Sequence, residues 1–270
     1  MRPFGQALAL IENREVSQVT EDFLTENRAK KTKLYEGKAK VVYPSGDPGL
    51  VHMVFKDDAT AFNGEKRGTI KGKGHLNAQI SAILFKYLEE NGIPTHFVSL
   101  DDKTSMTVKL LKIFPIEVVV RNIIAGHLAE RVGRPEGEDL PFPIIELYYK
   151  SDELGDPLLN DDHILALGLA SREEIDHLKS QARKINSLLK NFFMERGLLL
   201  VDFKLEFGRV VSVAEDGTVV EGEIVLGDEI SPDTCRFWDA ETRMKLDKDR
   251  FRRDLGGVEE AYAEVLRRIS

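Results

Sequence analysis

The chain is poor in cysteine, tryptophan and histidine, and it lacks any long apolar run. Its 270 residues include one cysteine, Cys235, so no internal disulfide can form, which suits a reducing compartment. The six histidines are scattered, with no pair at ligand spacing, and this argues against a zinc centre. No apolar stretch reaches the ~20 residues that a membrane helix needs. Residues 7–11 are too short an apolar core for a leader, and Glu12, Arg14 and Glu15 follow at once. A cytoplasmic protein is therefore expected. Positive charge is also short: 38 basic against 46 acidic residues leave a net −8. That disfavours a nucleic-acid binder relying on a global positive field, while leaving room for a local basic pocket that takes small anions. The Walker A pattern is absent (Gly, four residues, Gly-Lys, then Ser or Thr), as are internal repeats and low-complexity tracts. What is present is 42% hydrophobic and 31% charged residues, the make-up of a soluble globular chain with one large or two small domains.

The most informative stretch is 198–208, LLLVDFKLEFG. As a strand it places Val201, Phe203, Leu205 and Phe207 on one face and Asp202, Lys204 and Glu206 on the other. Three successive charges fit either a solvated sheet face or a site. Asp216-Gly217 is a strong two-residue hairpin signal, after which residues 218–226 run back to Gly227-Asp228-Glu229. A tight turn sets Glu206 opposite Gly227, beside Asp228. Strict alternation would send Asp228 to the other face, so a bulge at Gly222 or Gly227 is required to bring the carboxylates together. Two carboxylates and a lysine at one hairpin end suit Mg²⁺ and a phosphate chain.

Around this hairpin the chain falls into recognisable segments. Residues 1–32 form an add-on arm in which Val16, Val19, Phe23 and Leu24 have helical spacing. From Lys33 the pattern is strand, glycine turn, strand, with Lys38 and Lys40 on one face, suited to a triphosphate or to a solvated hairpin alike. The Gly/Lys-rich loop 68–74 enters a helix with the stripe Leu76, Ile80, Ile83, Leu84, Tyr87 and Leu88, ended by Asn91-Gly92. Such a loop reads equally as an anion site at a helix N-terminus or as a flexible entry. Residues 105–113 read as a strand that Phe114-Pro115 breaks, before an apolar strand 117–120 ending at Arg121. Arg121 facing a short helix opened by Ala125-Gly126-His127 is either a phosphate cradle or a structural ion pair. Ser171 with Glu174 is a capping box for the longest helix, whose stripe Ile175, Leu178, Ala182, Ile185, Leu188, Leu189, Phe192 and Phe193 backs the sheet. Behind Asp228, the loop 230–236 offers Asp233 and Arg236. Cys235 has no base beside it and is not a catalytic thiol. Val258, Tyr262, Val265, Leu266 and Ile269 mark a closing amphipathic helix.

Seven segments in this order closely resemble the SAICAR synthetase family: LYEGKAKVVY, FKDDATAFNGEKRGTIKGKG, EVVVRNIIAGH, YYKSDELGDPLLN, LLLVDFKLEFG, VLGDEISPDTCRFWD and DKDRFRRDLGG. The resemblance runs from about Lys33 to the C-terminus, and VDFKLEFG followed by GDEISPD is its most specific part. It implies an α+β fold of two lobes, built on mainly antiparallel sheets with packed helices, and an ATP-grasp/kinase-like nucleotide cleft between them. The corresponding division is 33–115 for the ATP phosphate loop and 116–270 for the CAIR (carboxyaminoimidazole ribonucleotide) and Mg²⁺ site. The implied activity is a carbon–nitrogen ligase of de novo purine biosynthesis. It joins L-aspartate to the CAIR carboxylate through an acyl phosphate, with ATP going to ADP and phosphate. By resemblance, Lys38 and Lys40 are phosphate-loop lysines, and Lys109, Ile113 and Glu117 lie in the segment holding adenine and ribose. Lys204 lies near the transferred phosphate, and Glu206 and Asp228 are the Mg²⁺ carboxylates. Arg121, His127, Asp233 and Arg236 match the CAIR set. Two departures stand out. His127 occupies a place commonly held by serine, and Asn63 stands where many members carry aspartate. The family is usually oligomeric, often a homodimer.

Overall fold

The computed structural model describes residues 33–61, 66–213 and 218–270. The N-terminal arm, Asn63 and the Asp216-Gly217 turn lie outside the described residues. Two antiparallel sheets carry the rest. The first has five strands in the order β1 (Tyr35–Glu36), β2 (Lys40–Pro44), β3 (Leu50–Phe55), β7 (Ser105–Lys109), β6 (Phe97–Leu100). A two-stranded ribbon, β4 (Asp58–Ala61) and β5 (Lys66–Thr69), follows β3. The second sheet runs β10 (Leu158–Leu159), β9 (Asp139–Tyr149), β8 (Leu111–Ile123), β11 (Leu198–Val213), β12 (Val219–Gly227), with β13 (Cys235–Asp239) paired to the start of β11.

The expected helices form where the apolar stripes lie. Helix α1 (Lys73–Glu90) packs on β3, β6 and β7, and also against α6 (Val258–Ile269). Gly92 ends it with φ +78°, a left-handed conformation that favours glycine. Short helices α2 (His127–Val132), α3 (Asp161–Ala166) and α5 (Asp249–Arg252) punctuate the loops. Helix α4 (Arg172–Met194) lies across β8, β9 and β11. Its capping box is as read: the Glu174 amide donates to Ser171 Oγ at 3.2 Å, and the Ser171 amide donates to Glu174 Oε2 at 2.6 Å. Ile175, Leu178, Ala182, Ile185, Leu189, Phe192 and Phe193 are all buried.

One expectation about the strands fails. Phe114-Pro115 does not break a strand; β8 is continuous through it, and the break falls at Leu110. Proline can stay inside β8 because the ladder to β11 slips there. Glu206 faces Glu117 but Gly208 faces Ile113, so residues 114–116 oppose Phe207 alone. A bulge needs no amide from proline. At Leu110 the chain passes between sheets: its amide donates to Gly49 O at 2.8 Å and its carbonyl accepts from the Val211 amide at 2.9 Å. A second junction joins the end of β12 to the entry of β6, through Leu226 N to Pro94 O (3.0 Å) and His96 N to Leu226 O (2.9 Å). One apolar cluster runs from Val51, Met53 and Phe55 through Phe85 and Phe97 to Phe203, Leu205, Phe207 and Phe237.

Candidate functional site

The second junction holds Leu226, so the chain reaches Asp228 from a fixed point two residues before it. Glu206 pairs with Gly227 across β12 and with Glu117 across β8. A bulge is present at the expected place: Gly222 and Glu223 together oppose Val210. It sets the register but not the face of Asp228, because Glu206 and Gly227 lie beyond it on the same side. Asp228 itself adopts φ +58°, and this left-handed backbone accompanies the turn of its carboxylate toward Glu206. Gly208 and Gly227 keep the hairpin close to β8. A Cβ on Gly227 would sit 2.7 Å from Leu111 Cδ1 and 3.4 Å from Ile113 Cδ1.

Six lysine–carboxylate contacts define the centre. Lys204 Nζ lies 2.6 Å from Glu206 Oε1, 2.9 Å from Glu117 Oε1 and 3.8 Å from Asp228 Oδ2. Lys40, from the first sheet, pairs with Asp228 Oδ1 and lies 3.0 Å from Glu229 Oε1. Lys150 pairs with Glu206 Oε2. The face of β11 that carries these charges is therefore an enclosed ionic cluster and not a solvated surface: the Asp202 and Glu206 side chains are only 6% and 2% exposed. Burial opposes the charge on Lys204, yet Glu117, Glu206 and Asp228 together hold its ammonium well above the ordinary lysine range. Lys40 is held up in the same way by Asp228 and Glu229. Burial likewise opposes ionisation of Asp228, but Lys40 and Lys204 prevail and keep it ionised. Glu117 is pushed up by burial, against the pull of Lys204.

A second cluster lies two residues before Lys204 on β11, at Asp202. Arg121 donates through Nη1 to Asp202 Oδ2 (2.9 Å), through Nε to Glu146 Oε2 (2.5 Å), and through Nη2 to the Tyr148 hydroxyl (3.1 Å). Arg236 donates to the same Asp202 oxygen at 2.7 Å and to Asp249 Oδ2 at 3.1 Å. Asp202 thus holds two guanidinium groups together. The Arg236 guanidinium carbon would lie 2.8 Å from a Cβ on Gly126, so only glycine admits it there. His127 follows as the exposed first residue of α2.

A third cluster is fully internal. Asp233 accepts from Lys73 Nζ at 2.6 Å and from the Tyr262 hydroxyl at 2.7 Å, which ties α1, α6 and the 230–236 loop together. The loop before α1 does not offer a free anion site, because the chain supplies its own anion. The Gly72 and Gly74 amides donate to the two oxygens of Asp57 at 3.0 and 2.9 Å.

The expected residues thus separate by location. Lys40, Glu117, Lys204, Glu206 and Asp228 meet. Ile113 roofs the same hairpin, and Arg121 and Arg236 meet at Asp202. Lys109 donates to Thr95 O at 3.3 Å, at the strand junction. Lys38 lies apart from the Lys40–Asp228 contact. It sits in the turn between β1 and β2, where strand alternation no longer applies, and pairs with Asp152 at 2.6 Å. Sequence reading gave no role to Lys73, Lys150, Asp202 or Glu229. For Asp202 the alternation with Lys204 and Glu206 was the available signal; Lys73 stood in the Gly/Lys-rich loop 68–74, and Lys150 had no signal beyond closing a strand-like stretch. Cys235 is buried, and burial pushes its thiol far up, as expected for an inert side chain.

Among the described residues no group of three or more His, Cys, Asp or Glu is placed to cage a metal ion. The pair Glu206 and Asp228, flanked by lysines, fits instead a hard cation shared with phosphate oxygens.

Comparison with known proteins agrees with these motifs. The SAICAR synthetase family model matches residues 33–269. The phosphoribosylaminoimidazole-succinocarboxamide synthase of Chlorobaculum tepidum is 59% identical over 240 residues, 89% of this chain and 98% of that protein. The Coprothermobacter proteolyticus synthase is 56% identical over 236 residues, covering 87% and 96%. Among solved structures, the Ehrlichia chaffeensis synthase aligns with a TM-score of 0.83 at 45% identity, covering 88% of this chain and 98% of that one. A SAICAR synthetase solved in complex with ADP aligns at 0.80 and 52% identity, covering 87% and 97%. With its described sheets, its ionic hairpin and these matches in accord over nearly all of the sequence from Lys33 onward, the chain belongs to the SAICAR synthetase family.

Proposed function

We propose that this chain joins L-aspartate to the carboxylate of CAIR, converting ATP to ADP and phosphate and yielding SAICAR. The observation that carries the reading is the convergence of Lys40, Lys204, Glu206 and Asp228 at the junction of the two sheets. In this reading the segments 33–115 and 116–270 act as two lobes with a nucleotide cleft between them. Lys38, Lys40, Lys109, Ile113, Glu117 and Lys204 hold ATP. Arg121, Arg236, His127 and Asn63 hold CAIR, with Asp233 fixing the loop that carries Arg236. Arg121 and Arg236, fixed on Asp202, present planar cations suited to an anionic ribonucleotide. The working unit is a cytoplasmic homodimer, as is common for the family.

The chemistry follows from the leaving group. A carboxylate cannot expel oxide, so the CAIR carboxylate oxygen first attacks the γ-phosphorus of ATP and ADP leaves. The aspartate amine then attacks the acyl carbon, the carbon–oxygen bond to phosphate breaks, and the amine gives up a proton. Lys204 and Lys40 neutralise charge on the transferring phosphoryl group, and rigid placement of the partners supplies much of the remaining rate. Glu206 and Asp228 would hold a divalent cation, Mg²⁺, which when bound neutralises phosphate oxygens. The test is a coupled assay with ATP, CAIR and aspartate, omitting each in turn. ADP should appear in step with SAICAR only when all three are present. ADP release without CAIR, or turnover with another amine in place of aspartate, would refute the assignment.

A further inference from the structure

All four oxygens of the two proposed metal carboxylates lie within ion-pair distance of the chain's own ammonium groups, and three of them are hydrogen-bonded. Glu206 Oε1 faces Lys204 at 2.6 Å and Oε2 faces Lys150. Asp228 Oδ1 faces Lys40, and Oδ2 faces Lys204 at 3.8 Å. A cation that bridges this pair must displace a lysine from Glu206, and it meets three positive charges on the way. Both carboxylates are largely enclosed, so the lysines cannot simply be exchanged for solvent contacts.

We propose that these lysines are placeholders that exclude a free divalent cation from Glu206 and Asp228, and that the cation enters only together with a polyphosphate. The nucleotide's phosphate oxygens give the displaced ammonium groups new partners. The same lysines thereby neutralise the carboxylates before the nucleotide arrives and the phosphates afterwards. Two of them keep a further carboxylate during the exchange: Lys204 has Glu117 at 2.9 Å and Lys40 has Glu229 at 3.0 Å. Lys150 is recorded on Glu206, and its charge also reaches Asp228. It lies just past the end of β9, outside the hairpin, and its loss leaves the Lys40 and Lys204 contacts in place. Reciprocity follows: if nucleotide raises cation affinity, the cation raises nucleotide affinity by the same factor.

The inference rests on the metal reading above, and the experiment separates the two. Mn²⁺ binding is followed by electron paramagnetic resonance on the full chain, alone and with saturating non-hydrolysable ATP analogue, correcting for Mn²⁺ held by free analogue. The wild type alone should bind Mn²⁺ weakly, and the analogue should tighten the site by about a hundredfold, within the usual range of strong site–site coupling. Lys150→Met should tighten Mn²⁺ binding to the nucleotide-free protein by about tenfold, the equivalent of losing one competing ion pair. Lys40→Met serves as the second variant, with folding of each checked by circular dichroism, and should act in the same direction. Equal Mn²⁺ affinity with and without analogue, or tightening in neither folded variant, overturns the placeholder role while leaving the metal site standing. No Mn²⁺ at the protein even with analogue overturns the metal site and the inference together.

Discussion

Replacement of Lys204 by methionine tests the centre of the site, because one ammonium group there serves three carboxylates. The substitution keeps side-chain length and removes the charge. Glu206 retains Lys150 and Asp228 retains Lys40, so the main loss falls on Glu117, recorded with Lys204 at 2.9 Å. Removing one partner from a buried ion pair costs about 3–5 kcal/mol, and the surviving lysines place this variant at about 3. For a chain of this size that corresponds to a Tm lower by ~6–12 °C. Glu117 is already pushed up by burial, and losing Lys204 pushes it further. A carboxyl raised in the folded state stabilises the fold at low pH and loses that contribution as pH rises through its folded value. The Tm gap from wild type should therefore narrow at pH 5 relative to pH 8. Turnover should fall by ~10³-fold or more, the scale for losing a cation that meets a transferring phosphoryl group. Scanning fluorimetry across pH and the coupled ligase assay read both effects. Turnover within tenfold of wild type in the folded variant would refute the role given to Lys204. A Tm gap that widens at low pH would refute the Glu117 argument.

Two further outcomes follow from the rest of the site. Asp202→Asn should cost about 3 kcal/mol in urea unfolding and raise the KM for CAIR more than that for ATP, because Asp202 holds both Arg121 and Arg236; equal changes in the two KM values would count against a CAIR role for these arginines. Asp247 is fully buried, accepts the Phe237 and Asp249 amides at 3.0 and 2.7 Å, and is pushed up to about 7 by burial and by neighbouring Asp249. Its contribution to stability is present at acid pH and lost as pH rises through 7, so wild-type Tm should fall between pH 6 and 8 more than that of Asp247→Asn, and parallel curves would disprove it.

Strands and helices were legible where side-chain period and caps agreed. The alternation in 198–208, the Ser171–Glu174 box and the Asn91-Gly92 stop each depend on neighbours a few residues apart. The misplaced break at Pro115 shows the limit of that logic. Proline reads as a strand breaker until a partner strand slips to receive it, and the slip at Phe207 is a property of the pair. The facing of Asp228 failed in a related way. The bulge at Gly222 was foreseeable, but the left-handed backbone that accompanies the carboxylate's turn lies two residues past Leu226, which is held by the β6 entry more than 100 positions away in sequence.

Sequence alone determined which residue types are available for chemistry. It argued against a reactive thiol, a histidine metal cage and a membrane helix, and it placed Glu206 and Asp228 on one hairpin, whose register the bulge at Gly222 completes. Only tertiary structure decided which charges neutralise which. Lys40 reaches Asp228 from the other sheet, Lys150 reaches Glu206 from a strand edge, and Asp202 joins two arginines. Ion pairing depends on distance and burial in space, and neither is encoded in the spacing of residues along a chain.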